Sequence, residues 1–315
     1  MPTSTPTPAQ LLVELEPVVA DNLNRHLSTA KDWMPHEYVP WGEGRDFDAE
    51  PWDPSQSRLS PVARVAMEVN LLTEDNLPSY HREIDSRFGR DGAWGTWVHR
   101  WTAEEGRHAI VIRDYLVVTR GIDPEELERG RMQQMQQGYD SGGKNALQAM
   151  AYVSFQELAT RISHRNTGRY TEDPVAEKLL ARVAADENLH MVFYRNLVMA
   201  AFELAPNETM TAVADEVIGF EMPGSGIPGF VRKAALIAKA GIYDLRSHHD
   251  DVVMPVLRHW GVFERAGFSA EGEAARNRLA AFMSDLDASA TRFEEQRAAA
   301  AAKTAARRAA ASLTA

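Results

Sequence analysis

WTAEEGRH at residues 101–108 and AADENLH at residues 184–190 each place a glutamate three positions ahead of a histidine. On a helix, positions three apart share a face, so Glu105 with His108, and Glu187 with His190, can reach one metal ion. A single pair of this kind has little specificity. The upstream glutamates add the rest: Glu74 precedes Glu105, and Glu157 precedes Glu187, by about 30 residues in each case. A helical hairpin returns to its starting level when its turn falls midway, and Gly89–Gly92 and Gly168–Pro174 fall midway. Each hairpin therefore sets one glutamate opposite one Glu-x-x-His pair. Two packed hairpins gather four carboxylates and two imidazoles, the arrangement of ferritin-like di-iron and di-manganese bundles.

The residues around these positions predict burial. Leu71 and Pro78 flank Glu74, Trp101 and Ile112 flank Glu105 and His108, Val153 flanks Glu157, and Val183 and Tyr194 flank Glu187 and His190. Four ionised carboxylates in such surroundings need compensation, and two Fe(II) ions carry the four positive charges that balance them. The same oxygen and imidazole donors also suit manganese or zinc. Pro78 cannot donate to the carbonyl of Glu74, which predicts a kink there.

Around this centre the pattern is helical throughout. The periodicity predicts a leading helix over 9–27 and an irregular Pro-rich stretch over 32–57 containing Trp33, Trp41 and Trp52, whose rings are expected to pin it to the bundle. Further helices are predicted over 61–88, 93–119, 124–138, 145–167 and 174–203. Shorter helices follow, with an interruption at MPGSGIPG, 222–229, and a long last helix from about 270. The fold class is thus all-α, a ferritin-like four-helix bundle with additional helices in one domain over 1–315. The alanine-rich tail from about 298 has no packing face and is expected to fray.

Composition narrows the chemistry. With 315 residues and 44% apolar content the chain can bury a large core, and it has no cysteine. Disulfides, thiolate zinc, cysteine-held iron–sulfur clusters and a cysteine nucleophile are therefore excluded, leaving Asp, Glu and His to hold any metal. A net charge of −11 argues against general nucleic-acid binding. The first residues lack a secretory signal and no apolar run is long enough to span a bilayer, so the expected location is cytoplasmic.

Several neighbours have plausible outer roles. Thr160, one turn after Glu157, is a candidate proton relay, or else a hydroxyl bonded to its own helix. Asp186, four residues before His190, is a candidate to orient that histidine. Glu104 is turned about 100° from Glu105 on the helix and is expected to be dispensable. His81, His99, His164, His248, His249 and His259 have no matching carboxylate frame and read as surface or core histidines. Gly224, Gly226 and Gly229 have neither the strand nor the Lys-Ser/Thr of a phosphate loop.

The chain also resembles the soluble acyl-acyl-carrier-protein desaturases, including plant stearoyl enzymes and actinobacterial relatives. The resemblance runs through LLTEDNLPSY, RWTAEEGRHAIVIRDYLVVTRGID, YVSFQELATRISHRNTGR and AADENLH, and more faintly FEMPG and GFSAEGEAA, over about residues 30–285. It implies iron ligands at Glu74, Glu105, His108, Glu157, Glu187 and His190, the six that spacing selects. DWMPHEYVP, 32–40, resembles the family's tryptophan segment, which implies Trp33, Asp186 and a ligand histidine on an electron route. O2 as co-substrate, an acyl carrier protein, a ferredoxin-type donor, homodimerisation and a cis double bond in the acyl chain are implied likewise. Because the carrier protein is acidic, Arg232 and Lys233 are the expected docking pair. The rival readings are a ferritin-like iron-storage protein, a ribonucleotide reductase radical subunit using Tyr194, and a metal-free scaffold.

Overall fold

The computed structural model describes residues 6–222 and 224–312, and Pro223 of the interruption lies outside them. Most helices begin where a polar cap meets a proline or an acceptor side chain. Thr7 and Gln10 form a reciprocal cap on α1 (Pro8–Thr29), and Ser60 caps α2 (Pro61–Glu74). α2 stops at Glu74 and the chain restarts at α3 (Leu77–Phe88), with Asp75 and Asn76 between. The kink expected from Pro78 is therefore a full break, and it leaves the carboxylate of Glu74 at a helix end. Arg131 locks the break by pairing with Asp75.

Gly89, at φ 86°, turns the chain toward α4 (Gly92–Val118), and Asp123 caps α5 (Pro124–Gln137). Asn145 and Gln148 form another reciprocal cap on α6 (Ala146–Tyr170), and Asp173 with Pro174 starts α7 (Pro174–Leu204). α6 and α7 pack along their length as an antiparallel hairpin. α2, α3 and α4 complete the four-helix bundle, and α1 lies against α4 and α7. Beyond it run α8 (Pro206–Ile218), α9 (Phe230–Lys239), α10 (Leu245–Ser247), a π-helical turn at His248–Val253, α11 (Met254–Trp260) and α12 (Ala270–Ser312).

Two apolar layers make the bundle interior. One contains Trp97 and Trp101 of α4, Phe155 of α6 and Phe193 and Leu197 of α7. The other contains Met67 and Leu71 of α2, Ile112 and Tyr115 of α4 and Leu180 and Val183 of α7. Along α4 and α7 the layers stop on either side of residues 104–108 and 186–190. The histidines and carboxylates thus occupy a polar band between two apolar layers, where burial makes uncompensated charge expensive.

The irregular stretch contains three 3₁₀ turns and is pinned by two of its tryptophans. Trp33 is 4% exposed, and the Trp52 indole donates to the Arg120 carbonyl at 3.1 Å. Arg120, with φ 55°, is itself buried and donates back to Gln56 and to the Glu50 carbonyl. Trp41 departs from expectation: it is 51% exposed and its indole donates only to the nearby His36 carbonyl. α12 continues through Ser312 with residues 298–307 exposed, because alanine sustains helix without a packing face. Residues 313–315 lie outside the described residues. No helix among those described is long and apolar enough to cross a membrane.

Candidate metal centre

The polar band gathers all six side chains selected by spacing. Glu74 arrives from the end of α2, Glu105 and His108 from α4, Glu157 from α6, and Glu187 and His190 from α7, all buried. They form two overlapping groups. Glu74, Glu105, His108 and Glu187 make one, and Glu105, Glu157, Glu187 and His190 the other; within each, one donor atom per residue lies within 4.8 Å of every other. Glu105 and Glu187 belong to both groups, whereas Glu74 and Glu157 each belong to one.

Both histidines turn Nδ1 inward. His108 Nδ1 is 3.4 Å from Glu105, 3.3 Å from Glu187 and 3.6 Å from Glu74. His190 Nδ1 is 2.8 Å from Glu105 and 3.6 Å from Glu157. These approaches lack hydrogen-bond geometry. Glu105 Oε1, Glu157 Oε2, Glu187 Oε2 and both inward Nδ1 atoms are buried with no hydrogen-bond partner. Such atoms in a folded interior call for an explanation, and here they point at common centres rather than at one another. Carboxylate oxygens and imidazole nitrogens in this number suit a pair of divalent iron, manganese or zinc ions.

Electrostatics separates an inner set from an outer one. Burial and the neighbouring Glu157 push Glu187 up to about 8, and burial with the Glu187 charge pushes Glu105 upward. Burial opposes protonation of His108 and His190, yet the crowded carboxylates push both well above the usual imidazole range. No lysine or arginine among the described residues pairs with the four inner carboxylates. The outer acids Asp186 and Glu104 do have arginine partners: Arg182 and Arg107 for Asp186, Arg100 and Arg107 for Glu104. Burial would raise Asp186, but His108, the Trp33 indole and Arg182 outweigh it and hold it at about 2. The inner carboxylates are thus the ones without a lysine or arginine partner.

The outer residues correct several expectations. Asp186 does not orient His190 on its own helix; its Oδ2 lies 3.5 Å from Nε2 of His108 and accepts from the Trp33 indole at 2.7 Å. Glu104, expected to be dispensable, is buried and takes the place beside His190, with Oε2 3.0 Å from His190 Nε2 and 2.8 Å from His26 Nε2. Four residues along a helix is axial proximity, but each imidazole reaches across the bundle, so its outer partner comes from the other Glu-x-x-His helix. His164, read as a bland histidine, is 1% exposed with Nε2 2.7 Å from Glu74 Oε1. Trp101, read as apolar flanking, donates its indole N–H to Glu157 Oε1 at 3.1 Å.

Thr160 donates its hydroxyl to the carbonyls of Gln156 and Glu157, the helix-bonded alternative. The Tyr194 hydroxyl accepts from the Trp97 indole at 3.0 Å. Glu104 and Asp186 did share a sequence signal, since each immediately precedes the first glutamate of its Glu-x-x-His motif. No comparable pattern marks His26 or His164.

Two largely apolar cavities adjoin the band, and both are lined by Thr73 and Glu74. One extends past Trp101, Glu105, Ile84, Val153 and Tyr152; the other past Thr160, His164, Met222, Phe230 and Ile237.

Comparisons with known proteins agree with this geometry. Residues 7–311 match the family described as fatty acid desaturase. DesA1 of Mycobacterium tuberculosis, provisionally named an acyl-acyl-carrier-protein desaturase, is 54% identical over 299 residues, 91% of this chain and 88% of its own. A chloroplastic stearoyl-acyl-carrier-protein 9-desaturase of Gossypium hirsutum is 29% identical over 317 residues, 92% of this chain and 78% of its own. The crystal structure of DesA2 from Mycobacterium tuberculosis matches with a TM-score of 0.68 at 33% identity, covering 80% of this chain and 94% of that one.

Proposed function

The chain belongs to the acyl-acyl-carrier-protein desaturase family of oxidoreductases, and on that premise we propose that it introduces a cis double bond into a saturated acyl chain carried on acyl carrier protein. The observation that carries this reading is the pair of largely apolar cavities, both lined by Thr73 and Glu74, that adjoin the buried donor atoms. An acyl chain has the polarity for such apolar walls.

Glu74, Glu105, His108, Glu157, Glu187 and His190 would hold two iron ions. Bound there, the iron pair supplies the O2-dependent oxidation that removes two hydrogen atoms from neighbouring methylenes. The balance is one saturated C–C unit, O2, two electrons and two protons giving one alkene and two waters. Protein side chains do the rest. Trp101 and His164 hold the carboxylates of Glu157 and Glu74, and the apolar walls keep water from the reacting carbons.

The electrons require an outside donor such as a reduced ferredoxin, since the chain has no cysteine for an iron–sulfur cluster of its own. Trp33, bonded to Asp186 and stacked 6.4 Å from His108, is the proposed path inward. Thr160 lines the second cavity beside Glu74, and would relay a proton only by rotating its hydroxyl off the helix. A homodimer is proposed on the resemblance alone.

Anaerobic Fe(II) loading, followed by O2, reduced ferredoxin and a set of acyl carrier protein thioesters, should yield products 2 mass units lighter than the substrates, the loss of two hydrogens stated above. Products gaining one oxygen instead would redirect the reading to hydroxylation, and unaltered thioesters would sink it.

Of the expected docking pair for the acidic carrier, Arg232 is the freer residue. Lys233 is tied to Glu68 at 2.7 Å, whereas Arg232 is exposed and makes no ion pair among the described residues. Arg232→Glu should raise KM for the carrier-linked substrate by about 3–10-fold at low salt and flatten its salt dependence, with metal content unchanged. An unaltered KM at low salt would remove α9 from the docking surface.

A further inference from the structure

We propose that Glu104 is a positioning residue for His190, and that with His26 and Arg100 it holds the Glu157–His190 half of the centre by a connection the other half lacks. The proposal rests on the metal-centre reading above. A neutral imidazole carries one N–H and one lone pair, so the acceptor at Nε2 decides whether Nδ1 can bind a metal. Glu104 Oε2 is that acceptor: at 3.0 Å it takes the Nε2–H of His190 and leaves the Nδ1 lone pair facing Glu105, Glu157 and Glu187.

The carboxylate is itself fixed from two further directions. His26 of α1 donates to the same oxygen at 2.8 Å, its ring stacked 5.8 Å from that of His190. Trp97 meets the His26 ring edge-on at 5.0 Å. Arg100, one turn back on α4, donates Nε–H to the other oxygen at 2.7 Å and pairs with it through Nη2 at 2.5 Å. Glu104 can swing away from His190 only by breaking these contacts.

The other half is built differently. Asp186 approaches Nε2 of His108 no closer than 3.5 Å, without hydrogen-bond geometry, and accepts instead from Arg182, Arg107 and the Trp33 indole. The two outer acids therefore differ in what they join: Asp186 lies between His108 and the Trp33 indole, whereas Glu104 bonds His190 directly and ties it to His26 and Arg100. Without Glu104, the His190 N–H loses its acceptor and the ring is free to present N–H rather than a lone pair to the metal. A well-made outer contact of this kind contributes about 10–100-fold in metal affinity.

The test is anaerobic titration with ⁵⁷Fe(II) of the wild-type chain and of the variants Glu104→Ala, Glu104→Gln, His26→Ala and Asp186→Ala. Bound metal is counted by elemental analysis and the two sites are resolved by Mössbauer spectra. Glu104→Ala should bind one of the two ions about 10–100-fold more weakly and change one of the two quadrupole doublets. Glu104→Gln, whose amide oxygen still accepts the N–H, should restore most of the affinity. Asp186→Ala should change the other doublet. If Glu104→Ala fails to fold, as judged by circular dichroism, His26→Ala decides the matter: Glu104 stays in place but loosened, and the same doublet should broaden. Two ions of wild-type affinity and unaltered spectra in both Glu104→Ala and His26→Ala would overturn the proposal alone. A wild-type chain that takes up no iron would overturn the metal-centre reading and this proposal with it.

Discussion

Glu105→Ala should leave the chain with less than about 0.2 bound metal ions after anaerobic loading and dialysis, against two in the wild type, because one lost carboxylate acts on both positions. Glu187→Ala should do the same. The reason lies in the overlap of the donor groups, where Glu105 and Glu187 appear twice and Glu74 and Glu157 once each. Each position that loses a shared carboxylate also loses a negative charge that offset a divalent ion in a site without other anions to spare. Glu74→Ala and Glu157→Ala should instead retain the ion farther from the change. Turnover should fall by roughly three orders of magnitude or more in the shared-carboxylate variants, since unactivated methylenes have no competing route at ordinary temperature. Elemental analysis beside circular dichroism separates metal loss from unfolding. Equal loss of one ion in all four variants would mean that no carboxylate is shared.

That hierarchy shows what a linear sequence carries and what it omits. Two Glu-x-x-His pairs, each about 30 residues after a lone glutamate with a turn midway, suffice to bring six side chains to one level. Helix period and loop position are local properties, and the helices over 93–119 and 174–203 follow from them within a residue or two at each end. The outer contacts are not local. Glu104 points away from Glu105 on its own helix, which made it look dispensable, yet that direction faces α7 and His190. Asp186 was matched to the histidine four residues ahead, while the space beside that histidine is filled from α4 and α1. His164 has no patterned partner because its glutamate lies 90 positions away across the bundle. Crossing geometry, which no single helix encodes, decides all three.

The same crowding makes an acid–base prediction with a definite sign. In the metal-free chain Glu187 sits at about 8 rather than its ordinary 4.5, Glu105 is raised, and His108 and His190 stand well above 6.5. Each of these groups holds its proton more tightly folded than unfolded. Their contribution to stability is therefore complete below the unfolded values and is lost as pH rises through the folded ones. Glu74 and Asp186 run the other way: they are held below the ordinary carboxylate range, so their contribution is present above about 4 and lost on acidification. Metal-free chain should thus be most stable near pH 5, with Tm falling by at least about 5 °C by pH 8.5.

Metal loading inverts the slope. Metal displaces the inner protons, so binding releases them, and apparent affinity climbs with pH over the window in which the metal-free site still holds them. The Tm gap between loaded and metal-free chain should widen from pH 5.5 to 8.5, and calorimetry in buffers of different ionisation enthalpy should register proton release on binding. Glu187→Gln removes the group raised to about 8 and leaves an uncharged side chain in its place. It should flatten the metal-free profile while weakening metal binding, because the carboxylate responsible for the fall in Tm is also shared by both metal positions. A metal-free Tm that instead climbs across this range would show that the inner carboxylates are comfortably ionised without metal, and the charge argument for a cation pair between the two apolar layers would go with it.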